Sequence, residues 1–165
     1  MRRSNLLSAA LLALFVAGCA GDEGADVDPA VELGFYRAGG YDHLADGGTF
    51  WVNDAVQGGY WAMPAVRTQG LADEAEVSCV VREDNVGELG SESTYRFFEE
   101  AEGGEDMLEI KQFLVPLAVV DDPMYASLPG QTGEITCSVH DDDGGEIDIA
   151  LDVVFDTEVG SQLPN

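Results

Sequence analysis

"EIDIALDVVFD", residues 146–156, alternates more strictly than any other stretch of this chain. Ile147, Ile149, Leu151, Val153 and Phe155 fall on one side of an extended backbone, while Glu146, Asp148, Asp152 and Asp156 fall on the other. A period of two marks a strand with one buried and one wet face, because successive side chains of a pleated backbone point to opposite sides. Two runs upstream repeat the pattern. EAEVSCVVR (74–82) places Ala75, Val77, Cys79 and Val81 inward, and EITCSVH (134–140) does the same with Ile135, Cys137 and Val139. The segment DDDGG (141–145) joins the last two runs, and its glycines supply the positive φ of a tight hairpin.

Outward from these runs, TFWVN (49–53), GYWAMPAVRT (59–68), STYRFFE (93–99) and MLEIKQFLV (107–115) carry β-branched and aromatic residues suited to strands. VELGFYR (31–37) reads as an edge strand, and Pro64 argues for an edge or a bulge in the 59–68 run. DGG (46–48) and VQGG (56–59) supply further turns, and no stretch has the pattern of an amphipathic helix of three turns. About seven strands joined by short turns predict an all-β, antiparallel β-sandwich over residues 31–165.

The segment Gly133-Glu134-Ile135-Thr136-Cys137-Ser138-Val139, followed by the Asp141–Gly145 turn, resembles the F–G region of immunoglobulin-like domains. Ile135 stands where that family places its corner tyrosine, and both Trp51 and Trp61 precede Cys79, so the usual core tryptophan is missing. The resemblance covers residues 133–156 and implies an immunoglobulin-like sandwich without indicating a subfamily.

The N-terminus, MRRSNLLSAALLALFVAGC, joins Arg2 and Arg3 to an apolar run from Leu6 to Ala17. That run is shorter than the roughly 20 residues needed to span a bilayer and suits a secretory signal peptide. Its end, Val16-Ala17-Gly18-Cys19, resembles the lipobox of bacterial lipoproteins. The resemblance implies cleavage after residue 18, a diacylglycerol on Cys19 and attachment to the cell envelope. Ala20 in place of Asp points to the outer membrane by the sorting rules of that class. Residues 19–30 then form an acidic, flexible tether.

With Cys19 assigned to the anchor, Cys79 and Cys137 remain, both on inward faces of alternating strands. In an exported protein they are expected to form a disulfide, the alternative being two separately buried thiols. Strand order puts Cys79 on the third core strand and Cys137 on the sixth, which are neighbours within one sheet of many sandwiches.

The chain has 32 acidic residues against seven Lys and Arg, a formal charge of −25, and its one lysine is Lys111. Such a surface repels nucleic acid and anionic headgroups and suits cations, basic proteins or salty surroundings. Clustered carboxylates at Asp141, Asp142 and Asp143, next to His140, are candidates for Ca2+, although the spacing does not follow the EF-hand loop. His43 has Asp42 and Asp46 nearby without a zinc spacing.

Gln57-Gly58-Gly59-Tyr60-Trp61 resembles a QGG-aromatic-His segment of bacterial lipoproteins with immunoglobulin-like domains, Trp61 taking the histidine position. Tyr60 and Trp61 are therefore candidate contacts for a glycan or a protein. No G-x-S-x-G, P-loop or H-E-x-x-H motif occurs. Glu99, Glu100 and Glu102, or Glu105 and Glu109, could pose as the paired carboxylates of glycoside hydrolysis, but that chemistry needs two carboxyls set across a cleft, and among acidic residues this abundant chance pairs are expected. The sequence thus leads to a lipid-anchored, non-catalytic binding or structural module without a cofactor. The competing reading is a calcium-binding adhesion or sensor domain that uses its acidic turns.

Overall fold

A computed structural model describes residues 28–54, 58–103 and 106–159. Residues 1–27, on which the expected signal peptide, Cys19 and most of the expected tether fall, lie outside the described residues.

The strands are β1 (Ala30–Arg37), β2 (Gly40–His43), β3 (Gly48–Asp54), β4 (Tyr60–Ala62), β5 (Ala65–Gln69), β6 (Glu74–Glu83), β7 (Gly87–Phe97), β8 (Glu99–Glu100), β9 (Leu108–Ile110), β10 (Val115–Pro116), β11 (Thr132–Asp141) and β12 (Glu146–Val159). One short helix, α1 (Asp122–Ser127), lies between β10 and β11. A five-stranded sheet runs β2-β1-β5-β9-β8, and a seven-stranded sheet runs β10-β4-β3-β12-β11-β6-β7. The chain is an all-β sandwich, as the alternation predicts.

The predicted faces hold along β6 and β11, where Ala75, Val77, Cys79, Val81, Ile135, Cys137 and Val139 are all buried. They join one core with Leu33, Phe35 and Val66 from the smaller sheet and Phe50, Val52 and Phe155 from the larger. Phe35 meets Phe50 edge-on across the sheets at 5.4 Å, and Phe50 meets Phe155 at 5.8 Å. Offset and edge-on ring pairs add to the stabilisation from burial alone.

Cys79 and Cys137 are directly opposite in the antiparallel β6–β11 ladder and form a disulfide, with their Cα atoms 4.2 Å apart. The Asp141 N–H donates to the Gly145 carbonyl, so the odd residues of β11 bond toward β12. Cys137 therefore belongs to a non-hydrogen-bonded pair with Cys79, where backbones approach most closely. The bridge lies within one sheet.

Several details differ from the sequence reading. More strands form than the seven or so expected, because short pieces such as β2, β8 and β10 carry no readable period. The run 59–68 is two strands in different sheets, β4 in the larger and β5 in the smaller, and the chain crosses between them at Met63–Pro64. Proline cannot donate to a ladder, which suits a crossing point. MLEIKQFLV divides likewise into β9 and β10, with Phe113 fully buried between them. β1 is interior rather than an edge, because the Ala38–Gly40 turn folds β2 back along it. One pairing is parallel, β3 with β12.

On the outer side of the smaller sheet, Arg67 and Glu109 form a buried ion pair, their side chains only 7% and 0% exposed. The Arg67 Nε donates to Glu109 Oε2 at 3.0 Å, and Arg67 Nη2 donates to the Tyr36 hydroxyl at 3.0 Å. The Tyr36 hydroxyl in turn donates to Glu109 Oε2 at 2.5 Å. The guanidinium lies 3.6 Å from the centre of the Tyr41 ring. That ring occupies the place a side chain at Gly34 would need, since a Cβ there would come within 2.5 Å of it. Burial raises the affinity of the Tyr36 and Tyr41 phenols for their protons, with the Glu109 carboxylate adding to the effect at Tyr36.

Candidate functional site on the outer face of the larger sheet

The registers of β7, β6, β11 and β12 assemble a trough that no single strand displays. One row across the outer face runs Ser93, Ser78, Ser138, Asp148, and the next runs Ser91, Val80, Thr136, Ala150. Longer side chains flank these rows. On one side stand Tyr95, Glu76, His140 and Glu146, and on the other Glu88, Arg82, Glu134 and Asp152. Short side chains between long ones leave a shallow groove of about 440 Å³ over β6, β11 and β12, lined by Ser78, Val80, Thr136, Ser138, Asp148 and Ala150. It crosses the strands at a right angle, and with neighbouring strands about 4.8 Å apart its three-strand floor is roughly 10 Å long.

The rims are held in place. His140 pairs with Glu146 at 3.2 Å, and Arg82 with Glu134 at 3.7 Å. Ser93 donates to Glu76 at 2.8 Å, and Ser91 to Glu88 at 2.9 Å. At one end, Tyr95 and Phe97 stand on the same face of β7, 43% and 70% exposed, with ring centres 6.4 Å apart. The Tyr95 hydroxyl donates to Asp142 at 3.0 Å, and burial together with that carboxylate pushes its phenol up to about 12. Chemically, the trough offers hydroxyls and a carboxylate along its floor, acidic rims and an aromatic shelf. Such a surface favours a polar extended chain and disfavours an anionic one.

The candidates singled out in the sequence have other surroundings. Tyr60 and Trp61 are half-buried on β4, away from the trough. The Tyr60 ring stacks on Tyr125 of α1 at 4.6 Å, and its hydroxyl donates to Asp122 at 2.5 Å, a bond that pushes the phenol up to about 12. Tyr60 therefore clasps the helix to the sheet, and among the described residues the exposed aromatics are Tyr95 and Phe97 instead. Alternation in STYRF places these two on one face, which is the signal that could have found them. Glu109, one of the carboxylates considered for acid–base work, is committed to Arg67.

The acidic turn does not converge on a cation. Among the described residues, no group of three or more His, Cys, Asp or Glu side chains is placed to hold a metal ion. Two of the acidic-turn carboxylates, Asp141 and Asp142, have local partners. Asp141 Oδ1 accepts the Gly145 N–H at 2.6 Å and its Oδ2 accepts the Ala72 N–H at 3.0 Å, while Asp142 accepts from Tyr95. The Asp141 carboxylate thus shapes the hairpin.

The Ala72 N–H, followed by the Gly145 N–H and other turn amides, holds the Asp141 carboxyl below the usual carboxylate range. A depressed carboxyl stabilises the fold above its unfolded-state pKa, and that contribution disappears as pH falls through the folded value. Asp141→Asn is therefore expected to lower the melting temperature at neutral pH. The gap from wild type should close as pH drops below about 4. Melting curves across this range check it, and a constant gap would assign Asp141 no pH-linked role.

No family model matches the chain, and no curated protein is similar to it.

Proposed function

We propose that this chain is a lipid-anchored protein of the bacterial cell envelope, attached at Cys19 and sorted to the outer membrane. Its immunoglobulin-like sandwich serves as a non-catalytic binding module. The lipobox Val16-Ala17-Gly18-Cys19 supports the anchor, and the β11–β12 hairpin with its inward Cys137 supports the immunoglobulin-like comparison. The observation that carries the binding role is the outer trough, where two strand registers place Ser78, Thr136, Ser138 and Asp148 between charged rims. Its partner is a protein segment or a glycan of neutral or positive charge, because the rims and the net charge of −25 disfavour anionic chains.

The test is retention of envelope proteins and glycans by the immobilised chain. Thr136→Arg adds a long side chain to the trough floor without touching the core, and should release a component that the wild type retains. Identical retention by both would remove the trough from the function. Turnover of a hydrolase substrate, abolished by one carboxylate substitution, would replace a binding module with an enzyme.

A further inference from the structure

β3 pairs with β12 only from Val153 onward, so on that side the described residues give Glu146–Leu151 no ladder partner. Asp152 closes the paired part: its N–H donates to Asp46 Oδ1 at 2.9 Å and its carbonyl accepts from Gly47 at 2.7 Å. Backbone groups two residues apart face the same way along a strand. The N–H and C=O of Ala150, Asp148 and Glu146 therefore point into the same notch.

The other sheet margins are blunted in ways that discourage strand addition. β2 has four residues, and β8 and β10 have two each, with Pro116 in β10. β7 is long, but Glu92 and Arg96 point to its inner side opposite Cys79 and Ala75, and its register with β6 shifts at Val81/Arg82. The notch has none of these devices. Its inward side chains, Ile147, Ile149 and Leu151, are aliphatic and only half-buried against the core.

We infer that Glu146–Leu151 is a docking edge for an extended strand of another protein in which Lys or Arg alternates with aliphatic residues. The aliphatic side chains cover Ile147, Ile149 and Leu151, and the cations face Glu146, Asp148 and Asp152. Charge decides the occupant. A second copy of this chain would bring Glu146 and Asp148 against their own kind, and the acidic tether of residues 19–30 would do the same. This edge borders the trough and shares Asp148 and Ala150 with its floor, but it is read through the β12 backbone. Thr136→Arg, which fills the trough, should therefore leave peptide binding unchanged, and the inference does not depend on the anchor.

The test uses the full-length chain and the peptide Ac-KVKVKVK-NH2, read by titration and by backbone hydrogen exchange. Binding should protect the amides of Asp148 and Ala150. Ala150→Pro deletes an edge donor that the fold does not use, and should weaken binding about tenfold, the worth of one hydrogen bond. Asp148→Lys leaves the backbone intact and should also weaken binding, so it decides the matter if the proline variant melts early. The inference is overturned if either folded variant binds the peptide as wild type does. It is equally overturned if EVEVEVE, or the unpatterned KKKKVVV, protects the same amides. Protection of Asp148 and Ala150 before any peptide is added would assign the edge to a second copy or to the chain's own terminal residues.

Discussion

Reduction of the Cys79–Cys137 bridge is expected to lower the stability of the folded chain by about 4 kcal/mol and its melting temperature by roughly 10–15 °C. The bridge spans 58 residues of sequence, so opening it restores much of the freedom that the unfolded chain lacks when closed. The folded state loses little else. The β6–β11 ladder extends to both sides of the cysteines, from Gly133 opposite Glu83 to Asp141 opposite Ala75. Reduced protein should therefore remain folded near room temperature, with native circular dichroism, and melt earlier. Thermal melts with and without reductant measure this. Coincident melts, with free thiols confirmed by mass, would show that the bridge adds nothing to stability.

The second large effect concerns Arg67 and Glu109. Replacing Arg67 with Met leaves a carboxylate of 0% side-chain exposure with the Tyr36 hydroxyl and the Glu102 N–H as donors and the more distant Lys111, 3.8 Å away, as its nearby cation. Breaking a buried pair from one side costs about 3–5 kcal/mol, because the remaining charge loses its partner while still shielded from water. Glu109→Leu strands the guanidinium in the same way, with only the Tyr36 hydroxyl and the Glu102 carbonyl left to accept from it. Arg67→Met combined with Glu109→Leu removes both charges and should recover most of the loss. Urea unfolding of the four proteins gives the coupling energy directly. Additive losses in the double variant would mean that the two side chains act independently.

The three alternating runs were legible because each buries one face only. β6, β11 and β12 lie where the sequence places them, with Cys79 and Cys137 turned inward together. Position within a sheet was not legible. The crossing at Pro64, the interior place of β1 and the parallel β3–β12 pair depend on which strands meet, and local alternation does not specify that. Arg67 illustrates the limit well. It follows Val66 and so falls on the opposite face of β5, yet Tyr36, Tyr41 and Glu109, from three other strands, enclose it. The trough was hidden for the same reason, since Ser78, Ser138 and Asp148 become neighbours only through two strand registers. Candidate aromatics were legible as residues but not as surfaces: Tyr60 packs on α1, and Tyr95 is open.

The proposed role at the cell envelope rests on the anchor. Mass analysis of the mature N-terminal peptide, isolated from the native host's membrane fraction, is the decisive measurement. The expected result is a chain that begins at Cys19 and carries a diacylglyceryl group, together with release of Cys19→Ala from that fraction. An N-terminus at Met1, or an unmodified Cys19 thiol on a protein still bound to the membrane, would contradict the lipid anchor.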